Sequence, residues 1–523
     1  MPKDINVTTE IGTLKRLLVH SPDGGIGKVV PQKAQDWLYE DIVDLKSMQA
    51  EYDYYKKLLM AYMDIPSLKK WFEADSKSKP QGFLNDDRPS YVQPSNPDFI
   101  DSDNVVEIQK LLSKLLENED VKQQLVATIC GTERVNFRTQ QRLLNLDKKW
   151  LTKYNPITED ELAKVLITGF ARFIRKDKEG IEEKQVFPPI PNFIFTRDIG
   201  IVVNDYLLLS KLNKPVRQRE SILVKYIAHF ILFKSDWGKI IELYEDDRFF
   251  LYDEDELEQN IVTVEGGDVM MVHPTHLLIG CSERTTPNAI NKLVKFLFDK
   301  KIVKKVTAIV IPSQRETMHI DTVFTQIKRN SWVIFGPLSS KNEELYKDSY
   351  VPHLFSKEDR ESIVDSDVRI VQFIDKKNGK EDITINNDLK NVEELFTQIS
   401  KEDFKCKDEM EFIYCGDLEY PNDLREQWSD ACNLVALKEG VVIGYDRNRD
   451  TAKEFVKRGY NVIMAKDIIN QLYKAYIHNP DTDLGKIRDG IVHKDTLILL
   501  PSSELSRARG GSHCMSMPLL RTF

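Results

Sequence analysis

Residues Val269–Pro312 read VMMVHPTHLLIGCSERTTPNAINKLVKFLFDKKIVKKVTAIVIP. An apolar run, VMMV, meets the turn HPTH and a second apolar run, LLIGC; Thr286-Pro287 then opens NAINKLVKFLFDKK, and VTAIVIP closes the unit. Threonine caps a helix through its side-chain oxygen, and proline at the first helical position gives up no needed N–H, so the spacing predicts strand-turn-strand-helix-strand. The order recurs. Between Ile199 and Tyr244 it is IGIVV, ND, YLLL, the helical RQRESILVKYIAHFIL and GKIIELY; between Cys432 and Ala465 it is CNLVAL, KEG, VVIGY, DTAKEFVKRG and YNVIMA. A partial copy runs TVFTQI, turns at Arg329-Asn330 and continues as SWVIFG, and a fifth is expected from the terminal strands LKRLLVH and TLILLP. Repetition of one supersecondary unit predicts an α/β fold with its units arranged radially, because closure removes free sheet edges. An ordinary mixed α/β sheet satisfies the same periodicity.

From about Pro31 to Arg175 the pattern is helical: AQDWLYEDIVDLKSMQAEYDYYKKLLMAYM, VVEIQKLLSKLLEN, VKQQLVATI and TEDELAKVLITGFARFI, the last with Thr158 and Glu161 at capping-box spacing. An inserted all-helical domain is the economical reading. It divides the chain into a discontinuous α/β domain of residues 1–45 and 185–523 and a helical domain of residues 46–184. The stretch DSKSKPQGFLNDDRPSYVQPSNPDFIDSD and the charged run over about residues 341–407 read as surface elaborations.

With 523 residues, 41% hydrophobic and 30% charged, the chain has material for a large core. Its 74 Lys plus Arg against 83 Asp plus Glu give a formal charge of −9 with no massed basic tract, which argues against nucleic acid as principal partner. The start has no secretory h-region and no segment offers the ~18 apolar residues of a membrane helix, so a cytoplasmic protein with no membrane partner is expected. Six cysteines without a CxxC pair indicate neither a zinc ribbon nor a disulfide framework.

Four short stretches put polar groups beside strand ends: PNFIFTRD (Pro191–Asp198), VEGGD (Val264–Asp268), MHIDTVF (Met318–Phe324) and RARGGSHC (Arg507–Cys514). His319 and Asp321 share one face if their segment is extended. Glu265 reads by itself as a turn carboxylate whose following Gly-Gly supplies unusual dihedrals. The RARGG tract occurs once in an acidic chain, which sets it apart from RNA-binding repeats. A thiol, a histidine and several acids, each near a strand end, make the minimum kit for nucleophilic catalysis.

In that order, FTRD, EGGD, SERT, MHIDTVF and the RARGG loop before CMSMP resemble the arginine deiminase family, of the guanidino-group-modifying superfamily. REQWSDACN and VVIGYDRN extend the likeness, which runs through about residues 10–62, 186–334 and 412–523. The resemblance implies the pentein fold, a five-bladed α/β propeller, here with the helical insertion. By position it implies Cys514 as nucleophile and His319 as general acid and base. Asp198 and Asp321 would grip the substrate guanidinium, and Glu265 would bond both guanidinium and histidine. Arg217 and Arg284 would hold the free α-carboxylate of L-arginine, Asn192 and Arg509 would line the site, and Leu38 would be a lid position. No metal or organic cofactor is implied, and the assembly would be a homodimer or homotetramer. The chain departs from the pattern at Ile199-Gly200, where proline is common, at Glu283, where glutamine is frequent, and in extra segments at residues 64–104 and 336–411.

A guanidinium stays protonated, with a pKa above ~12, and resonance makes its carbon a poor electrophile. Two planar carboxylates fix the cation's plane so that sulfur approaches perpendicular to it. A thiol of ordinary pKa ~8.5 needs cations to ionise, and three acids oppose this, so the free protein is expected to hold a neutral thiol until substrate arrives. The implied reaction is hydrolysis of L-arginine to L-citrulline and ammonia through a Cys514 S-alkylthiouronium. Two alternatives remain open on the residues alone. One is a related hydrolase or amidinotransferase acting on agmatine, a methylarginine or peptidyl-arginine; the other is a non-catalytic binding protein.

Overall fold

Strand pairing reproduces the repeated unit. The computed structural model describes residues 5–34, 37–39, 41–77, 93–94, 96–176, 180–246, 260–340, 368–375 and 383–523. β1 (Thr13–Val19) pairs in parallel with β2 (Val105–Glu107), with α1 (Leu45–Met63) and α2 (Ile65–Lys77) between them in the chain. Helices α3 (Ile108–Leu116), α4 (Glu119–Thr132), α5 (Phe137–Leu143) and α6 (Glu159–Thr168) follow, then the hairpin of β3 (Phe170–Ile174) and β4 (Ile181–Gln185). Thr158 and Glu161 form the capping box that their spacing predicts.

β5 (Gly200–Val203) and β6 (Tyr206–Leu209) are antiparallel, α7 (Gln218–Ile227) crosses over, and β7 (Ile240–Ile241) returns parallel to β6. The Val269–Pro312 unit is the clearest copy: β8 (Val269–His273), β9 (His276–Cys281), α8 (Pro287–Asp299, capped by the Thr286 side chain) and β10 (Lys305–Val310), parallel to β9. β11 (Phe324–Lys328) and β12 (Ser331–Ile334) turn at Arg329-Asn330. The long excursion that follows adds β13 (Arg369–Asp375) and β14 (Ile383–Asn386) to the edge of β10, forms α9 (Val392–Gln398), and returns as β15 (Glu411–Tyr414) parallel to β12.

The last long unit has β16 (Val435–Lys438), β17 (Val441–Tyr445), α10 (Asn422–Trp428) before it and α11 (Arg449–Lys457), β18 (Asn461–Met464), α12 (Ala465–His478) and α13 (Leu484–Ile491) after it. Its sheet order is β16-β17-β19-β18, where β19 is Thr496–Leu500. β20 (Met517–Thr522) runs antiparallel to β1. The fifth unit is therefore β20-β1-helices-β2, not a pairing of LKRLLVH with TLILLP. Thr496–Leu500 lies between β17 and β18, where both of its edges are hydrogen-bonded.

Other differences have local causes. VVEIQKLLSKLLEN begins as strand because Val105 and Val106, β-branched and buried, pair with Leu17 and Leu18. TEDELAKVLITGFARFI breaks at Gly169, which takes the left-handed conformation, and FARFI becomes β3. The run over residues 341–407 is not all surface decoration: Ile370 and Gln372 are buried, and Phe396 stacks on buried Trp332 with ring centroids 3.8 Å apart. Residues 341–367 and 376–382 of that run, and 78–92 and 95 of the earlier one, lie outside the described residues.

The helices of the insertion do not share one core. Buried Leu58, Leu59 and Phe72 cluster with Ile443, Ile468 and Ile498 of the last long unit, while Leu112, Leu125 and Leu166 cluster with Ile199, Leu207 and Leu223. Among the described residues no helix is long and apolar enough to cross a membrane. The β1–β20 pairing joins the two ends of the chain, and Leu519 at its centre is fully buried. Leu519→Ala should cost about 2–5 kcal/mol, whereas Phe137→Ala, at a site 70% exposed, should stay within about 0.5 kcal/mol; chemical-denaturation midpoints of the two variants measure the contrast.

Candidate functional site

Each unit contributes the segment just ahead of its first strand. Asn192 and Asp198 precede β5, Glu265 precedes β8, His319 and Asp321 precede β11, and Cys514 precedes β20. These residues, with Arg217, Arg284 and Arg509, are all buried, and Leu38 is partly exposed.

The His319 Nε2–H donates to Glu265 Oε2 at 3.0 Å, and His319 Nδ1 lies 3.9 Å from Asp198 Oδ1. Arg217 Nη1 donates to Asp198 Oδ2 at 2.8 Å, its Nε and Nη2 donate to Glu220 Oε2 at 2.9 and 2.8 Å, and Nη1 stands 3.7 Å from Glu265 Oε2. Arg284 Nη1 is 3.8 Å from Glu265 Oε1 and its Nε 3.6 Å from Glu283 Oε1, both too far for a hydrogen bond, and neither nitrogen has a hydrogen-bond partner among the described residues. Cys514 Sγ approaches Asp321 Oδ2 at 3.7 Å. Asp198 Oδ1 and Asp321 Oδ1 are buried carboxylate oxygens with no hydrogen-bond partner among the described residues.

The remaining candidates surround this group less directly. Asn192 Nδ2 donates to the Trp37 carbonyl at 2.7 Å, and Arg315 donates to the Leu38 carbonyl at 3.0 Å. Leu38 and Arg509 both hold positive φ, 63° and 62°. The Arg509 guanidinium stacks 3.5 Å from the Trp428 ring centroid and donates to the Trp428 carbonyl.

The glycines act by close approach. A Cβ at Gly266 would stand 2.0 Å from the Arg197 carbonyl oxygen, and one at Gly267 would stand 2.5 Å from His319 Nδ1. Neither glycine has positive φ, so the expectation of unusual dihedrals after Glu265 is replaced by one of space. Gly510 and Gly511 repeat this: their Cβ atoms would fall 2.3 Å from Phe195 and 2.6 Å from Asn433.

Electrostatics follow from burying opposite charges together. Burial alone would lower His319, but the Glu265 hydrogen bond and the charges of Asp268, Asp198 and Glu265 outweigh it, and the pKa is raised to about 9. Burial would raise Glu265, but His319, Arg217 and Arg284 hold it low. Burial, then Asp321, Asp198 and Asp430, push the Cys514 thiol well above its ordinary value. Burial and the surrounding acids thus favour a neutral Cys514 thiol, and the Glu265 bond favours a protonated His319. Among the described residues no group of three or more His, Cys, Asp or Glu side chains could hold a metal ion.

Several residues at the site were not singled out from the sequence. Asn433 Oδ1 accepts from the Cys514 backbone N–H at 2.9 Å, and its Nδ2 donates to the Asp321 carbonyl at 3.1 Å. His513, Glu10 and Arg197 form a buried chain that ends on Asp321. Arg197 and His513 each stand one residue before a candidate, which is the only local sign of them.

A family model described as arginine deiminase matches residues 102–468. The chain belongs to the arginine deiminase family. Relatives named arginine deiminase include that of Listeria welshimeri, 27% identical over 533 residues and covering 100% of this chain and 99% of that protein. The one from Bacillus cereus strain B4264 is 26% identical over 538 residues, covering 100% and 99%. An amidinotransferase of saxitoxin biosynthesis from Microseira wollei aligns in three dimensions with a TM-score of 0.44 and 10% identity, over 99% of this chain and 97% of that one. A dimethylarginine dimethylaminohydrolase aligns with a TM-score of 0.32 and 15% identity, over 62% and 76%. The family match spans Asp198, Glu265, His319 and Asp321, and the full-length relatives extend the likeness to the segment of Cys514.

In this family member the Glu265–His319 pair sets the charge of the imidazole. His319 is raised in the folded state, so its contribution to stability is whole below its unfolded pKa of ~6.5 and is lost as pH climbs through about 9. Glu265→Gln should bring the His319 titration, followed by NMR, down from about 9. It should also flatten the fall in thermal midpoint between about pH 6.5 and 9; equal slopes in the two proteins would contradict the ion pair.

Proposed function

We propose that the protein hydrolyses L-arginine to L-citrulline and ammonia at the site of Cys514, His319, Glu265, Asp198 and Asp321. The observation that carries this reading is the pair of unpartnered oxygens, Asp198 Oδ1 and Asp321 Oδ1, each belonging to a buried carboxylate whose charge bears on the Cys514 thiol. Buried carboxylate oxygens without donors are costly. A planar guanidinium supplies N–H groups to both and puts its carbon beside the sulfur.

In this mechanism the substrate cation offsets the acids that hold the thiol neutral, and the thiol releases its proton to solvent as arginine binds. Sulfur attacks the guanidinium carbon, and His319, protonated in the resting state, gives its proton to the departing ammonia. An S-alkylthiouronium is left on Cys514. Neutral His319 then takes a proton from water, whose oxygen adds to the same carbon; collapse breaks the C–S bond and releases citrulline. Glu265 holds the imidazole in position throughout, the third-group role of hydrolytic triads.

Arg284 is the better-supported holder of the α-carboxylate, since its Nε and Nη1 have no hydrogen-bond partner among the described residues. Arg217 is spent on Asp198 and Glu220. It would join Arg284 by exchange: the substrate's guanidinium takes its place on Asp198 and frees Nη1 for the carboxylate. In the same reading Asn192 and Arg509 line the pocket and Leu38 belongs to its lid.

The repeated unit and the convergence of the pre-strand segments support a five-bladed pentein propeller. Residues 1–45 and 185–523 would form the catalytic body and 46–184 the helical insertion, a division of the chain more than of its packing. We further infer a cytoplasmic homo-oligomer, a dimer or tetramer as the family likeness implies, with six free cysteines in keeping with a reducing compartment.

Cys514→Ala is expected to abolish citrulline release while leaving the fold intact; normal turnover by that variant would end the mechanism. Arg284→Ala should raise KM for arginine roughly 10- to 100-fold, the worth of a charge-assisted hydrogen bond, and leave agmatine, which has no carboxylate, far less affected. Preference of the wild-type protein for agmatine over arginine would overturn the substrate assignment.

A further inference from the structure

His513 stands immediately before the nucleophile and is buried. Its Nδ1–H donates to Asp321 Oδ2 at 2.8 Å, and its Nε2 lies 3.3 Å from Glu10 Oε2. Glu10 in turn accepts from Arg197 Nη1 and Nη2 at 3.1 and 3.3 Å. The charged groups around the ring are thus Asp321 and Glu10 in direct contact, Arg197 beyond Glu10, and Arg521 and His319 acting on the two acids. Met270, Leu434 and Ala436 supply apolar packing beside His513 and Glu10.

The decisive detail is one oxygen. Asp321 Oδ2 accepts from His513 and is also the atom that Cys514 Sγ approaches at 3.7 Å, while Oδ1 of the same carboxylate has no hydrogen-bond partner among the described residues. We propose that His513 is a positioning residue for the thiol: by occupying Asp321 Oδ2 it turns Oδ1 toward the substrate guanidinium and weakens the carboxylate's hold on the Cys514 proton. The inference rests on the deiminase reading of this site and adds to it a dedicated arm, Glu10-His513-Asp321, that opposes the acids around the thiol. A purely structural staple is the competing account. The Arg197–Glu10 pair and the Arg197 backbone N–H on the Cys514 carbonyl already tie these segments together without the imidazole. What His513 adds is a ring N–H donor on the oxygen that the sulfur approaches.

The test reads the thiol directly. Alkylation of Cys514 by iodoacetamide, followed by intact-protein mass against pH, needs no arginine. In His513→Ala the pH midpoint of alkylation should move up by about one unit, and kcat should fall roughly 10- to 100-fold, the range for losing a charge-assisted hydrogen bond. Glu10→Gln should move the midpoint the same way by less. In an Asp321→Asn background, His513→Ala should cost little more, because both substitutions break one interaction. Should His513→Ala fail to fold, His513→Phe, which keeps a planar ring and removes the donor, carries the same expected shift. A folded His513 variant with the wild-type alkylation midpoint would overturn the proposal, as would an effect equally large with and without Asp321→Asn. A protein that never makes citrulline yet shows the shift would sink the deiminase reading and leave this one standing.

Discussion

The structure turns on the burial of a group of carboxylates that must find donors and cations away from water. Asp198, Glu265, Asp321, Glu220 and Glu10 are all buried, and an unpaired charge in such a setting costs several kcal/mol. Each therefore has a donor against it: Arg217 on Asp198 and Glu220, His319 on Glu265, His513 on Asp321 and Arg197 on Glu10. Two oxygens are left over, one on Asp198 and one on Asp321. In the proposed mechanism the reactivity of the site comes from that remainder, because a cation that completes the matching is also the group to be attacked.

The same balance bears on the Cys514 thiol. Burial and three acids hold the Cys514 thiol protonated, while the Glu265 bond and its acidic neighbours keep His319 protonated. A thiolate in an empty site would be open to oxidation and alkylation. In the proposed mechanism ionisation waits for a positive substrate, so recognition and activation are a single electrostatic event. The glycines serve this indirectly: a methyl group at Gly267 would collide with the His319 ring, and one at Gly511 with Asn433, which holds the Cys514 backbone.

Much of this was legible in the chain before any coordinates. The β-turn-β-helix-β unit at Val269–Pro312 formed with the Thr286 cap it promised, because capping and strand alternation are local effects. TLILLP was misjudged because an apolar strand carries no label for its partner. Its pairing with β17 and β18 depends on which edges are open once everything else has folded. VVEIQKLLSKLLEN failed at its first three residues for the same reason: the open edge of β1 outweighed the helical period. The extra segment after β12 looked like decoration by its charge, yet Phe396 within it stacks on Trp332. The residue types of the site were readable as a kit of thiol, imidazole and acids. Their partners were not, since His513, Glu10, Arg197 and Asn433 are ordinary residues until distant segments meet.

The sequence by itself determined the repeated unit, the helix caps and the identity of the chemically able side chains, since these depend on dihedral preference, hydrophobic period and functional group. Only the tertiary structure decided that β20 closes on β1, that the segment before each unit's first strand converges, and which oxygen faces which cation. Those are long-range matters of edge pairing and charge matching in a dry interior, where the energy of a contact depends on everything else already in place.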